Sequence, residues 1–318
     1  MMITRLGFLK IIALGSLLGL IAVKHKGIVY RVSYILEKAQ LDYFAKKYRG
    51  EEYFDACHVK TTLYNGMPIV VNKLDMCVCK SIRLSGLYEP AETSVVLPFI
   101  KEEDVVVEAG ANYGYYTLLM AKKVGPTGKV YTFEANPDVH SYLMSSISLN
   151  RLVNVVAFNK ALADHAYDSF LAYEHFNVGA GYILSEEQAK ADKLVTEYRN
   201  IRPISVSIID SELSGVVADV LRMDVEGAEY LVLKGARQLL ARSPNLKIIM
   251  EWAPASMERL NVNIDEAIDF LAAYKYYCWR ITAQGALERI EIVDLKNLEI
   301  ENIVLSKKDL TGVHPGLF

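Results

Sequence analysis

The residues best placed for chemistry are two carboxylates and a set of small residues between positions 104 and 134. The small residues form a turn after a β-branched run, and the turn with the acid that opens it comprises Glu108, Gly110, Asn112 and Gly114. Glu134 lies twenty residues past Gly114, at the end of a second predicted strand. Glycines let the backbone approach a ligand, and an acid at the next strand end accepts hydrogen bonds from both ribose hydroxyls. The pattern predicts a site for an adenosine.

The glycine spacing distinguishes two classes of adenosine ligand. A dinucleotide site has glycines spaced G-x-G-x-x-G, so that a pyrophosphate lies against bare backbone. Starting that pattern at Gly110 requires glycine at positions where this chain has Asn112 and Tyr115. Starting at Glu108, the spacing is acid-x-Gly-x-Asn-x-Gly, which suits a ligand with a charged amino acid end and no pyrophosphate. S-adenosylmethionine, which carries an ammonium and a sulfonium, is the predicted ligand.

Four further acids come after later predicted strands. Asp224 and Glu226 follow one strand, Glu251 follows another, and Asp164 lies just past a third. Because parallel strands present their carboxyl ends at one edge of a doubly wound sheet, we expect these acids to reach the cleft that holds Glu134. Acids from separate segments that meet in one cleft are difficult to explain as solvated surface, so a functional role is predicted.

Asp224, Glu226 and Glu251 are the predicted catalytic residues. An alcohol that attacks a methyl group must lose its proton, which a carboxylate can accept, and the enzyme must align the reacting atoms. Alternatively, Asp224 and Glu226 cap the next helix and complement its dipole, and which carboxylate is the base stays open. Asp224 and Glu251 could also hold a divalent metal, but the sequence offers no further ligand, so no metal is predicted.

Alternating strands and helices indicate an α/β fold built on a doubly wound sheet with right-handed crossovers. Residues 101–318 are predicted to form the domain that carries the site. Residues 28–100 are predicted to be an extension with a helix and a β-hairpin that turns at Asn65-Gly66. The segment Met76–Arg83 is predicted to be a further strand.

Residues 1–27 are a hydrophobic N-terminal segment, in which the apolar run Leu6–Val23 contains one charge, Lys10. Its eighteen residues would span about 27 Å as a helix, slightly less than the hydrocarbon core of a bilayer. A membrane anchor is predicted, with a cleaved signal peptide or a buried or interfacial helix as alternatives. A slight excess of basic residues after the segment favours a catalytic domain that faces the cytoplasm.

The composition argues against several other classes of protein. A net charge of −3 and a pI near 6.1 give no basic footprint, so nucleic acid is not an expected partner. Four cysteines in 318 residues do not indicate a disulfide scaffold. Cys77 and Cys79 lack the C-x-x-C spacing of structural zinc. The expected partner is a small-molecule or glycan acceptor, and the sequence carries no signal for an oligomeric state.

Three segments together resemble the FkbM-type methyltransferases: VVVEAGANYGYYTLLMAKKVGPTGKVYTFEANP, LRMDVEGAEYLVLKGA and IIMEW. The match runs from about Gly86 through Trp252, more loosely to the C-terminus, and leaves out the first 50 residues. The resemblance implies a class I methyltransferase sheet of seven strands, the last antiparallel. It also implies S-adenosylmethionine-dependent O-methylation of a hydroxyl on a sugar, glycan, polyketide or lipid-linked molecule.

The same resemblance implies positions for the predicted cofactor-binding residues. The residues implied to line the methionine side are Glu108, Gly110, Asn112 and Gly114. Asp164 is implied to lie near the adenine, and Glu134 is the family's ribose-binding acid. The family usually has aspartate at the position of Glu108, so one more methylene here would shift the fit near the methionine end.

Two other functions remain as alternatives. An NAD(P)-dependent oxidoreductase of a nucleotide sugar would share Glu134, but it needs the missing glycines and a set of hydride-transfer residues that the sequence lacks. A non-catalytic, membrane-anchored binding protein would have a degenerate cofactor site. Degeneration is opposed by the intact residues Glu108, Gly110, Gly114, Glu134 and Asp224.

Overall fold

The computed structural model describes residues 26–174, 176–184, 187, 189 and 199–312. The predicted membrane anchor at Leu6–Val23 lies outside these residues, so the N-terminal hydrophobic helix stays a prediction. Within the described ranges, no helix has both the length and the apolar character needed to cross a membrane.

The described strands and helices follow one another along the chain, with a 3₁₀ helix at Ile292–Asn297. The strands are β1 (Glu52–Tyr53), β2 (His58–Thr62), β3 (Pro68–Asn72), β4 (Val105–Ala109), β5 (Lys129–Phe133), β6 (Val155–Phe158), β7 (Ala161–Leu162), β8 (Tyr167–Glu174), β9 (Asn177–Leu184), β10 (Arg199–Ser207), β11 (Val220–Met223), β12 (Lys247–Trp252), β13 (Tyr277–Ile281), β14 (Leu287–Ile290) and β15 (Glu301–Ser306). The helices are α1 (Lys26–Tyr48), α2 (Val78–Ser85), α3 (Pro90–Phe99), α4 (Tyr115–Val124), α5 (Pro137–Leu149), α6 (Ile209–Glu212), α7 (Glu229–Lys234), α8 (Arg237–Arg242), α9 (Pro254–Arg259) and α10 (Ile264–Ala273).

Contacts within the chain divide it into two compact units, residues 1–51 and 52–318. The described part of the first unit contains α1, which carries Lys46 and Lys47 in its last turn, where cations complement the helix dipole. The predicted domain boundaries after residues 27 and 100 are not tested by this division and stay predictions.

The central sheet has eight strands in the order β14-β13-β15-β12-β11-β4-β5-β6. The strands β4, β5, β6, β11 and β12 are parallel, and β15 runs antiparallel between β12 and β13. Strand order reverses between β4 and β11, and open α/β sheets bind their ligands at the carboxyl ends of the strands beside such a switch point. The predicted α/β architecture with an antiparallel last strand is therefore observed.

The central sheet has one strand more than the seven expected. β14 pairs antiparallel with β13 at the edge of the sheet, and the two are joined by a tight turn at Gly285. Gly285 has a φ of +74°, and its amide donates to the carbonyl oxygen of Thr282 at 2.8 Å. The left-handed conformation that glycine adopts readily allows this hairpin.

Both faces of the inner strands β4, β11 and β12 are buried, which explains their continuous apolar residues. Alternate residues of neighbouring strands point to opposite faces and pack into two separate clusters. One cluster contains Val106, Val220 and Ile249, and the other contains Val107, Leu221 and Ile248. The sheet is therefore a rigid support for the loops at its carboxyl edge.

Two smaller sheets accompany the central one in the described chain. β1, β2 and β3 form an antiparallel sheet, and the predicted hairpin at Asn65-Gly66 is confirmed as the β2–β3 turn. A four-stranded sheet has the order β7-β10-β8-β9. It contributes apolar residues to the cavity described below.

The prediction of a strand at Met76–Arg83 is wrong, because this segment contains the helix α2. Its buried residues Val78, Cys79, Ile82 and Arg83 recur at helical spacing and share one face. Gly86 ends the helix in a left-handed conformation, and its amide donates to the carbonyl oxygen of Ile82 at 2.8 Å.

Candidate active site

The loop after β4 lies against the ends of two neighbouring strands. Gly110 has a φ of +86°, and a Cβ added to it would lie 1.9 Å from the backbone oxygen of Asp224. The amides of Gly110 and Ala111 donate to the carbonyl oxygen of Phe133, at 2.9 and 3.0 Å. Glycine is required here because any side chain would push β4 away from β11. The loop thus brings the ends of β4, β5 and β11 to one point.

The carboxylate of Glu134 is held in a fixed orientation by the backbone. Its Oε2 accepts a hydrogen bond from the amide of Asn112 at 2.8 Å, and its Oε1 accepts one from the amide of Asn136 at 2.8 Å. Asn112 reaches this position with a φ of +50°. Burial raises the pKa of Glu134 to about 7, although the amides of Asn136 and Asn112 oppose the rise. The remaining acceptor capacity of this acid is available to a ligand.

A cavity opens at this edge of the sheet and brings together six of the predicted site residues. These are Gly110, Asn112, Glu134, Asp224, Glu226 and Glu251. The apolar lining includes residues of α2, β8 and β9, namely Val78, Leu171, Val178 and Ile183. Glu89, which the sequence reasoning did not single out, lines the same cavity.

Glu108 is not part of the cavity lining. It is completely buried, and its Oε2 accepts hydrogen bonds from the hydroxyls of Thr117 and Thr132. Its Oε1 has no hydrogen-bond partner in the described part of the chain. Burial raises the pKa of this carboxyl. Glu108 joins β4 to α4 and β5 from inside the core, and its predicted contact with the cofactor stays a prediction.

Gly114 and Asp164 also lie outside the cavity lining. Gly114 has a φ of +90°, and a Cβ added to it would lie 2.6 Å from Leu143 Cδ1. Asp164 pairs with Lys234 Nζ at 2.6 Å and with His165 Nδ1 at 2.9 Å. Gly114 shapes the start of α4 and Asp164 is engaged by its neighbours, so the predicted role of each in cofactor binding stays a prediction.

The sequence reasoning missed a buried guanidinium beside the acids. Arg222 is 2% exposed; its Nε donates to Glu92 Oε1 at 3.0 Å and its Nη2 donates to Asp224 Oδ2 at 3.2 Å. The guanidinium carbon lies 3.9 Å from the centre of the Tyr116 ring, in a cation–π contact. A charged residue inside the apolar strand VLRM was the available signal. Arg222 is the counter-ion of this part of the cavity.

The cavity is rich in acids whose charge is only partly compensated. Burial, with the charge of Asp224, raises the pKa of Glu226 and of Glu251 to about 7. Lys160, the basic residue of the lining, is paired with Glu212 at 2.6 Å. Such a cavity favours a positively charged ligand. In the ranges that the structure describes, no group of three or more His, Cys, Asp or Glu side chains is arranged to hold a metal ion.

In the turn after β11, Asp224 and Glu226 do not cap the helix that follows, as the alternative interpretation would require. The N-cap residue of α7 is Ala228, and no side chain caps this helix. Glu229 Oε1 accepts a hydrogen bond from the amide of Val225 at 3.0 Å, which stabilises the turn. Glu226 adopts a φ of +57° within it. Asp224 and Glu226 therefore project into the cavity lining and not onto the end of the helix.

The raised pKa values predict opposite pH dependences for stability and for ligand binding. Glu134, Glu226 and Glu251 each have a pKa of about 7 in the fold, above the usual 4.5. The folded state then binds more protons than the unfolded state. The thermal stability of the ligand-free protein therefore decreases as the pH rises from about 4.5 to 7. Affinity for S-adenosylmethionine rises over the upper part of that window, because ionised acids attract its positive charges. Melting curves and calorimetric titrations from pH 5.5 to 7.5 measure both slopes, and parallel slopes would contradict this prediction.

The helix cap beside Glu134 gives a smaller prediction. Asn136 caps α5, with its Oδ1 accepting from the amide of Asp138 at 3.0 Å, and Asn263 caps α10 in the same way from Asp265 at 3.0 Å. Each asparagine-to-alanine change should cost about 1 kcal/mol of stability. Asn136→Ala should also lower affinity for S-adenosylmethionine, because the loop next to Glu134 loosens. Denaturant unfolding and calorimetry check this, and an equal loss of affinity in Asn263→Ala would refute it.

Comparison with known proteins identifies a matching family. A model of the Methyltransferase FkbM domain matches residues 108–278, which is more than half of the chain. Methyltransferase sdnD of Sordaria araneosa is 27% identical over an alignment of 176 residues, and the match covers 48% of this chain and 68% of the relative. Methyltransferase 1 of Beauveria bassiana is 27% identical over an alignment of 153 residues, and the match covers 44% of this chain and 61% of the relative.

The matches among solved structures are more distant. A SAM-dependent O-methyltransferase of Thermotoga maritima is 10% identical with a TM-score of 0.40, over 78% of this chain and 77% of that one. The M. jannaschii TYW2 structure in complex with AdoMet is 17% identical with a TM-score of 0.41, over 80% of this chain and 86% of that one.

Proposed function

Because the chain belongs to the FkbM methyltransferase family and is an S-adenosylmethionine-dependent methyltransferase, we propose that it methylates a hydroxyl group. The acceptor in this proposal is a sugar, a glycan, a polyketide or a lipid-linked molecule. The predicted roles of the individual site residues are part of the same proposal.

The observation that carries the proposal is the meeting of Gly110, Glu134 and Asp224 in one cavity at the switch point of the sheet. The aligned carboxylate of Glu134 suits two ribose hydroxyls. The bare backbone at Gly110 leaves room for the ligand, and the surrounding acids suit an ammonium and a sulfonium. These residues fit S-adenosylmethionine better than a dinucleotide, because Asn112 occupies a position that a pyrophosphate site gives to glycine.

Asp224 is the proposed general base. When bound, S-adenosylmethionine supplies a methyl group that its positively charged sulfur activates. Asp224 accepts the proton of the acceptor hydroxyl. Burial raises the pKa of this carboxyl, and Arg222, 3.2 Å from its Oδ2, opposes the rise. Glu226 and Glu251, with a pKa of about 7, assist by hydrogen bonding to the acceptor and by sharing the proton.

Calorimetry with two cofactors tests the proposed function. S-adenosylmethionine should bind the protein, and NAD(H) should give no heat of binding. In parallel, the protein is incubated with methyl-labelled S-adenosylmethionine and an extract of the producing cells. The labelled product should be a methyl ether. Preferential binding of NAD(H) would support the oxidoreductase alternative, and binding of neither cofactor would support the non-catalytic binding protein.

The proposed location is a membrane, through residues 6–23, with the catalytic domain facing the cytoplasm. The support is the apolar run of the sequence and the basic residues after it. Fractionation of cells that express the full chain, beside a chain that lacks the first 25 residues, tests this. The full chain should sediment with membranes and the shortened chain should not.

A further inference from the structure

The hairpin formed by β8 and β9 turns an apolar face toward the cavity. Leu171 of β8 and Ile183 of β9 are direct partners in the register of the hairpin, so their side chains lie on the same side of it. Gly181 faces that side as well, because a Cβ added to it would lie 3.3 Å from Leu171 Cδ1. All three residues line the cavity. They are called the hairpin face below, and they present two branched side chains beside bare backbone.

One end of the hairpin lies against the loop after β4. Gly179 of β9 lines the cavity, and a Cβ added to it would lie 3.3 Å from Asn112 Nδ2 and 3.4 Å from Val78 Cγ2. Gly179 does not have a positive φ, so close approach and not backbone conformation favours glycine at this position. Glycines inside a strand often occur where a ligand or another backbone approaches closely. The hairpin is therefore placed directly beside Asn112.

The strands β8 and β10 are bonded to the start of α5. The carboxylate of Asp138 accepts hydrogen bonds from the hydroxyl of Tyr173 on β8 and from Nε of Arg202 on β10, the second at 3.0 Å. The amide of Asp138 donates to Asn136 Oδ1 at 3.0 Å. Hydrogen bonds to an ionised group are shorter and stronger than neutral ones. Asp138 therefore fixes the sheet that carries the hairpin to the residues that follow Glu134.

The two points of attachment flank the same carboxylate. Asn112 and Asn136 donate their amides to the two oxygens of Glu134, each at 2.8 Å. The hairpin is held beside one of these asparagines and its sheet is bonded to the other. The hairpin face therefore belongs to the part of the cavity around Glu134, whereas Asp224, Glu226 and Glu251 come from the ends of β11 and β12.

Resting on the proposed role of Glu134 in binding the ribose, we propose that the hairpin face binds the adenine ring of S-adenosylmethionine. The opposite wall consists of further apolar lining residues that lie next to Glu134 in the chain or on β7, and these are Ala135, Val139, Ala161 and Leu162. A flat ring buried between two apolar walls loses contact with water on both faces, which favours binding. Gly181 leaves room for the ring because it has no side chain.

Truncation of Ile183 tests this assignment, because its side chain lines the cavity and is only partly buried. Ile183→Ala should raise the dissociation constant of S-adenosylmethionine about 10-fold. It should raise that of 5′-methylthioadenosine by the same factor, since this probe keeps the adenosine and lacks the amino acid end. Leu171→Ala should give the same pattern. Calorimetric titrations measure the constants, and the apparent KM for acceptor in a cell extract should stay unchanged at saturating S-adenosylmethionine.

Tyr182→Ala is the matched control. Tyr182 is 46% exposed and is the strand neighbour of Ile183, so its side chain points to the other side of the hairpin. Both dissociation constants should keep the values of the unchanged protein in this variant. An equal loss of affinity in Tyr182→Ala would show a general disturbance of the hairpin and would overturn the assignment.

Three other results would also overturn it. They are a loss of affinity for S-adenosylmethionine without a loss for 5′-methylthioadenosine, a raised KM for the acceptor with unchanged cofactor affinity, and unaltered constants in both Ile183→Ala and Leu171→Ala. In each case methyl transfer to a hydroxyl by the unchanged protein would still uphold the proposed function. Absence of that methyl transfer would overturn the proposed function, and the binding constants would still decide the role of the hairpin face.

Discussion

Replacement of Asp224 by asparagine is expected to lower the turnover number by about 100-fold or more. Asparagine has the same size and can still accept the hydrogen bond from Arg222, but it cannot take the proton of an attacking hydroxyl. The dissociation constant of S-adenosylmethionine should stay within about threefold, because the lost interaction belongs to the transition state. Initial rates with the labelled methyl donor and calorimetry measure the two effects.

The matched control for this change is Asp219→Asn, at the opposite end of β11. Asp219 Oδ2 accepts a hydrogen bond from the amide of Val105 at 2.9 Å, and an asparagine oxygen can keep that bond. Turnover in Asp219→Asn should therefore remain close to that of the unchanged protein. Unchanged turnover in Asp224→Asn would remove Asp224 from the catalytic residues and direct attention to Glu226 and Glu251.

Glu134→Ala is expected to weaken binding of S-adenosylmethionine by about 100-fold or more. The change removes the acid that would accept the ribose hydroxyls, and it leaves the amides of Asn112 and Asn136 without their acceptor. Hydrogen bonds to a charged group contribute about 1.5–3 kcal/mol each, and two such bonds correspond to about 100-fold or more in affinity. Calorimetric titration measures the loss.

Glu108→Gln is the informative companion to Glu134→Ala. Glu108 is completely buried and bonded to Thr117 and Thr132, so its replacement should mainly alter stability if it has no contact with the cofactor. An affinity in Glu134→Ala equal to that of the unchanged protein would contradict the assignment of the ribose-binding acid. A loss of affinity in Glu108→Gln without a loss of stability would support the predicted contact of Glu108.

The parts of the site that could be predicted from the sequence depend on local geometry. The strands β4 and β5 follow from their apolar residues, and the turn at Gly110 follows from a residue type that allows a φ of +86°. Glu134 could be predicted because its distance along the chain from the glycine turn reflects one helix and one strand. Such features need no knowledge of how distant segments pack.

The features that the sequence reasoning missed depend on distant partners. Arg222 and Glu92 are 130 positions apart, and no local pattern pairs them. Glu89 has a φ of +42°, which depends on how the following helix α3 packs and which no local pattern predicts. The segment of α2 was misjudged because its short apolar spacing suits a strand or a helix, and tertiary packing decided between them. Glu108 was expected at the cleft, but its orientation depends on the two threonines that it meets.

The ion pair between Arg222 and Glu92 limits where the chain of this enzyme can be truncated. The span that the family model recognises, 108–278, contains Arg222 but neither Glu89 nor Glu92. A truncation at residue 101 would remove Glu92 and leave Asp224, at 3.2 Å, as the carboxylate that accepts from this buried guanidinium. It would also remove the hairpin whose Val70 amide donates to Ser146 Oγ at 2.9 Å. A shortened protein built on residues 108–278, or an exchange of this span between relatives, should therefore include about fifty residues before it.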